Sequence, residues 1–277
     1  VYFTTFFFTL QIIFSNILTK QKETCLFCSD FQISALSFPK ESREGFAHVN
    51  ISFPTLSAIS VCVRVQWDQD WNDVSTIFSY AAPVFTNEFQ LRGQLDVQGR
   101  VLLALIIHGK HLPYKASFPN DGAWHHVCVT WRRSGNHWAI YVDGESKDKG
   151  SGTDTNRDVH GDGILILGQD QDSFGGNFTE PFFGNITDLN VWNMALESRH
   201  IRALNSCSTL SQERLFIWNL DHITSHPAVK EVQTSLMCPG EFSLAGFSGY
   251  FVQTNKCSFN LPYAVEVEVC IGKNLAI

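Results

Sequence analysis

From Ala47 onward the sequence keeps breaking into short apolar or alternating runs, each about a strand long and closed by Gly, Asn, Asp or Pro. Among them are AHVNISF (47–53), SVCVRVQW (60–67), STIFSYA (75–81), EFQLRGQLDV (88–97) and RVLLALIIHG (100–109). HHVCVTWRR (125–133), HWAIYVDGE (137–145), GILILGQ (163–169) and ITDLNVWNM (186–194) follow. Side chains alternate along a strand, so SVCVRVQW places Val61, Val63 and Val65 on one face and Cys62, Arg64 and Gln66 on the other. A single helical stretch stands out, ALESRHIRALN (195–205), with Leu196, Ile201 and Leu204 at near-helical spacing. Strands at this density with so little helix indicate an all-β chain folded as a β-sandwich.

The 277 residues give room for one large β domain or two smaller ones. A formal charge of −7, with no Lys/Arg cluster denser than Trp131–Arg133, excludes a nucleic-acid partner. Eight cysteines make an even set suited to disulfides in an oxidising compartment. Glycosylation acceptors begin at Asn50, Asn177 and Asn185, which agrees with an extracellular location, secreted or at the cell surface. The opening stretch is apolar to Leu18, then turns polar and charged. Thr4, Thr5, Thr9, Gln11, Ser15 and Asn16 make it a poor bilayer span, so residues 1–22 read as a signal-peptide-like leader. Residues 23–238 are then expected to form the main domain with a cysteine-closed C-terminal extension, and 239–277 a short appended, truncated piece with its own strand, AVEVEVC (264–270).

One loop carries chemistry. LGQDQDSFGGNF (167–178) sets Asp170, Gln171 and Asp172 side by side before Gly175 and Gly176. Carboxylate, amide and carbonyl oxygens suit a hard cation such as calcium. The same residues also suit a polar hairpin, and at this point both readings stand. No catalytic constellation accompanies them. His108 and His111 lack the Glu of a zinc-protease pattern, and the glycine spacing around Ser248 is not that of a nucleophile elbow. A binding module is therefore expected, not an enzyme.

HHVCVTW (125–131) resembles the pentraxin signature at His126, Cys128, Thr130 and Trp131, although Arg133 departs from the usual Ser/Thr. In the right order, LSFPKES (36–42), VCV (61–63), IFSYA (77–81), VDGE (142–145), the Asp170 loop and NVWNMAL (190–196) are also similar to that family, of the C-reactive protein and serum amyloid P type. The resemblance covers roughly residues 31–219. It implies a two-sheet jelly roll and a disulfide joining Cys62 to Cys128. It also implies calcium held by the carboxylates of Asp170 and Asp172, the backbone carbonyl of Gln171, and the amide oxygen of Asn87 from a separate turn.

Departures narrow that expectation. Thr86 stands where the family has an Asp, Thr179 where its second calcium needs a Glu, and Glu180 is one residue out of register. One weakened calcium site is expected, roughly millimolar to tenth-millimolar, with the second lost and a glycan on Asn177 beside it. Arg92 falls where choline-binding members place an aromatic ring, so choline recognition is not expected. Cys207 and Cys238, bracketing Trp218, resemble the pentraxin-like modules at the N-termini of adhesion G-protein-coupled receptors. Cys25 and Cys28 have no thioredoxin-like context and could pair with each other or with later cysteines.

The expected function is a calcium-supported extracellular ligand-binding or adhesion module of a cell-surface receptor. Its partner would be an extracellular protein, a glycan or a phosphate-bearing ligand. The membrane would be reached only through flanking sequence, and homo-oligomers are compatible with the family. A soluble oligomeric pentraxin of innate immunity and a metal-free adhesion module are the alternatives.

Overall fold

The computed structural model of the chain describes residues 29–71, 73–152 and 156–238, and four short strands between residues 241 and 268. The leader expected over 1–22 lies outside the described residues, as do Cys25, Cys28, Cys257 and Cys270. The chain divides into two compact units, residues 32–236 and a second to which 237–277 belongs. In the second, Glu241–Leu244 pairs antiparallel with Phe247–Tyr250, and Ser258–Asn260 with Glu266–Glu268.

The strands of the main body are β1 (Ser29–Phe38), β2 (Ala47–Val49), β3 (Ala58–Trp67), β4 (Ser75–Ala82), β5 (Phe85–Leu95) and β6 (Arg100–Ile107). Next come β7 (Lys110–His111), β8 (Ala116–Pro119), β9 (His125–Arg132), β10 (His137–Val142), β11 (Glu145–Gly150) and β12 (Ile164–Leu167). The last are β13 (Asp170–Ser173), β14 (Gly176–Thr179), β15 (Gly184–Trp192), β16 (Phe216–Ile217), β17 (Ile223–Ser225) and β18 (Lys230–Cys238), with helix α1 (Ser198–Asn205) after β15. One sheet runs β11-β10-β9-β3-β15-β1-β18 with β16 beside β15; the other runs β17-β2-β12-β4-β5-β6-β7 with β8 beside β6. Their inner faces meet in one core, which includes Val61, Val63, Val65, Trp67, Phe78, Leu91, Leu103, Trp131 and Ile186. This is the jelly-roll sandwich that the alternating runs and the family resemblance implied.

Alternation predicts Val61, Val63 and Val65 inside, and they are. It does not predict that the opposite face of β3 is buried as well. Cys62 sits directly across from Cys128 on β9, bonded to it, in a second apolar cluster with Tyr141, Trp192, Leu196 and Ile201 under α1. Arg64, next on that face, is fully buried. Its Nη2 donates to the carbonyls of Leu204 and Asn205 at 3.1 Å each, and its Nε to Asp188 Oδ2 at 3.2 Å. The last carbonyls of a helix have no partner within it and carry partial negative charge. Arg64 supplies both donors and charge, so a polar residue on a strand fastens the helix.

Helix α1 starts at Ser198 and not at Ala195, because the residues before it are tied down in extended form. Ser60 Oγ donates to the Met194 carbonyl at 2.7 Å and accepts from the Leu196 amide at 2.9 Å, while Glu197 is extended (φ −79°, ψ 156°). AHVNISF likewise keeps only β2 as strand: the Asn50 amide makes one more bond in the register of β17, to the His222 carbonyl, and the Ile51 amide then turns back onto the Val49 carbonyl, at 2.8 Å each.

Candidate functional site

The Asp170 loop is a short hairpin, β13 against β14, with Gln171 opposite Phe178 and Ser173 opposite Gly176. Gly175 turns it with a φ of +71°, a conformation side-chain-bearing residues seldom adopt. The Gln171 side chain is fully buried and fixes the hairpin to the sheet. Its Nε2 donates to the carbonyls of Ser79 (3.0 Å) and Ile164 (3.1 Å), and its Oε1 accepts from the Gly175 amide at 3.1 Å. Asp172 and Thr179 are exposed, although Thr179 pairs with buried Asp170 at the base of the hairpin. The amide of Gln171 is thus used up within the fold.

β5 runs beside this hairpin. On β5, Glu88, Gln90 and Arg92 share one face because they are two residues apart, and all three are buried. Gln90 Nε2 donates to Asp170 Oδ1, which also accepts from the Gln171 amide at 2.7 Å. The guanidinium of Arg92 lies between two acids. Its Nη2 contacts Asp170 Oδ2 and donates to Gln90 Oε1 at 3.3 Å, while its Nη1 lies 2.8 Å from Glu180 Oε2. Burial pushes the carboxyls of Asp170 and Glu180 above their ordinary values, and Arg92 pulls both back. Asn87, at the start of the same strand, keeps a buried Oδ1 without a hydrogen-bond donor.

The family resemblance implies calcium here, and the side chains do not fit the role expected of Asp170. Both of its oxygens are engaged, by Gln90, the Gln171 amide and Arg92. Glu180, the nearest substitute, is held by the same guanidinium. Asn87 keeps an oxygen suited to a cation, and Asp172 is exposed. Sequence reading noted Arg92 only as a missing aromatic ring. The signal that points to its role is the polar alternation of Glu88, Gln90 and Arg92 in a strand flanked by apolar ones.

Glu88 belongs to a neighbouring cluster. Burial raises its carboxyl, but Arg157 at 2.7 Å through both nitrogens and the His160 amide at 2.7 Å hold it below its ordinary value. His108 lies 3.8 Å from it and is driven down to about 4 by burial, so it stays neutral. Among the described residues, Cys62, His126 and Cys128 form the one trio of His, Cys, Asp or Glu side chains close enough to share an ion. Their sulfurs are bonded to each other, which leaves no thiolate to bind a metal. His126 of the signature is therefore structural: it is buried, and its amide donates to Asp143 Oδ1 at 2.9 Å. Cys207 and Cys238 are each disulfide-bonded too.

His125 sits between two acids, its Nδ1 2.8 Å from Asp143 and its Nε2 3.1 Å from Asp121. Burial works against the charge, yet the two aspartates raise the imidazole above its ordinary value. A group whose folded-state value is raised adds stability below its unfolded value and loses it as pH climbs through the folded one. The melting temperature should accordingly fall from about pH 6 to pH 8. His125→Gln should flatten that slope, and an unchanged slope in the variant would assign it elsewhere.

The acceptor asparagines differ in setting. Asn50 and Asn177 are exposed. Asn185 lies half-buried on β15, between β1 and β3, and its Nδ2 donates to Gln66 Oε1 at 2.7 Å.

Residues 34–226 match the model of the Pentaxin family. The adhesion G protein-coupled receptor D2 of Homo sapiens is 36% identical over 209 residues, 74% of this chain and 22% of that receptor. Neuronal pentraxin-1 of Homo sapiens is 33% identical over 193 residues, 68% of this chain and 43% of that protein. The chain thus spans less than half the length of these curated relatives. In fold it is similar to the native heptameric SAP-like pentraxin from Limulus polyphemus, with a TM-score of 0.64 at 23% identity over 72% of this chain and 94% of that one. Among the described residues no helix is long and apolar enough to cross a membrane.

Proposed function

The chain belongs to the pentaxin family, and from that premise we propose that it is an extracellular recognition or adhesion module of a cell-surface receptor. It meets an extracellular protein or glycan through the face formed by the 170–179 hairpin and the β4–β5 turn. The relation to an adhesion receptor supports the receptor setting, and the oxidised cysteines support an oxidising compartment. Val84 and Phe174, at the two turns of this face, are 70% and 44% exposed, an apolar complement to the acids.

The observation that carries a metal-free form of this module is the neutralisation of Asp170 from within by Arg92. A calcium ion would have left to it Asn87 Oδ1, Asp172 and the Gln171 carbonyl, a small shell against the six to eight oxygens it normally takes. Recognition should therefore survive chelation. The whole chain, multimerised on streptavidin to gain avidity, would be screened against extracellular proteins and glycans in calcium and in EGTA. Binding is expected in both, and weakened by Val84→Asp or Phe174→Asp. Binding that vanishes in EGTA would overturn the metal-free form, and binding indifferent to both substitutions would overturn the assignment of this face.

The relation to neuronal pentraxin-1 supports a second reading, a soluble oligomer. Light scattering of the purified chain separates the two, since a discrete ring of several copies would favour the oligomer. Exposure also predicts the glycans. Mass spectrometry should find Asn50 and Asn177 occupied and Asn185 bare, because the Asn185 amide is held inside a central strand.

A further inference from the structure

Resting on the assignment of this face to recognition, we propose that Arg92 is the resident cation of a latent calcium site, holding with one guanidinium the acids that a divalent ion would otherwise gather. Its two terminal nitrogens reach Asp170 on the hairpin and Glu180 just beyond it, and Gln90 closes the ring by contacting both Asp170 and Arg92. Arg92 is 8% exposed, so this cation is built into the fold and is not a surface charge swinging past. A planar guanidinium presents several donors in a fixed fork and stays charged at any physiological pH. It meets the need that Asp170 and Glu180 create by being buried, a positive charge with directed contacts.

The charge count bears this out. Asp170 and Glu180 sum to −2 and Arg92 returns +1, so a bound Ca²⁺ would have to share the site with a cation already there, at like-charge cost. Remove Arg92 and the balance reverses. Two carboxylates then lie together without a cation between them, with the charge of Asp172 close to both. Oxygen donors of this kind are what calcium selects. The arginine thus blocks the ion while replacing its structural effect, which keeps the hairpin in place at any calcium concentration.

Differential scanning calorimetry of the whole chain, in 5 mM CaCl2 and in EDTA, tests this. The wild type should melt at the same temperature in both. Arg92→Ala and Arg92→Gln should melt lower in EDTA, and calcium should raise them by about 2–4 °C if the exposed site has a dissociation constant near 1 mM. Arg92→Lys, which keeps a cation, should show no calcium response. A calcium-induced rise in the wild type would overturn the proposal, as would folded Ala and Gln variants that both ignore calcium. Should both neutral variants fail to fold, calorimetric titration of the wild type still decides it: a calcium isotherm refutes the resident cation, and a flat trace at millimolar calcium supports it. Either result leaves the ligand screen in EGTA to be judged separately.

Discussion

Arg92→Ala should lower the stability of the chain by about 3–5 kcal/mol, the cost of leaving a buried charge without its partner. Asp170 is 2% exposed and would keep only the Gln90 and Gln171 donors. The loss should depend on pH. Burial already raises the Asp170 and Glu180 carboxyls, with Arg92 opposing it. A carboxyl raised in the folded state destabilises that state as pH climbs from its unfolded to its folded value, because the folded form then holds more protons. Removing Arg92 lifts both carboxyls further and extends that window upward. The deficit should consequently be larger at about pH 7 than at about pH 4 in urea titrations. Equal deficits at the two values would mean that Arg92 acts through packing alone.

Replacing Cys62 and Cys128 together by alanine should cost a similar amount. The bond closes a loop of 66 residues, for which the chain-entropy relation gives about 4 kcal/mol. For a domain of this size that is a fall in melting temperature on the order of 10 °C. The pair also lies in the apolar cluster beneath α1 with Trp192, Leu196 and Ile201. The double variant should therefore loosen the helix before the sandwich, visible as faster amide exchange over 198–205 than over β5 and β6. A fall of under about 2 °C would mean that the packing around Trp192 and Arg64 holds the strands without the bond.

The sandwich was largely legible because its information is local. Period-two alternation places Val61, Val63 and Val65 on one face whatever lies elsewhere in the chain, and the structure buries them as read. Cys62 and Cys128 were assigned to each other by resemblance, and they face one another across adjacent strands. Period alone missed the second buried face of β3, where Arg64 reaches residues 140 and 141 positions away. Nothing in SVCVRVQW distinguishes an arginine facing water from one capping a helix.

The candidate site divides in the same way. By itself the sequence determined which residues carry oxygen, that Asp170, Gln171 and Asp172 stand side by side before two glycines, and that Asn87 precedes a strand. Only the tertiary structure decided what meets them. Arg92 is 78 residues from Asp170 and 88 from Glu180, and no local rule relates residues so far apart. A buried carboxylate needs a positive partner, and which cation supplies it depends on how two turns of the sandwich come together.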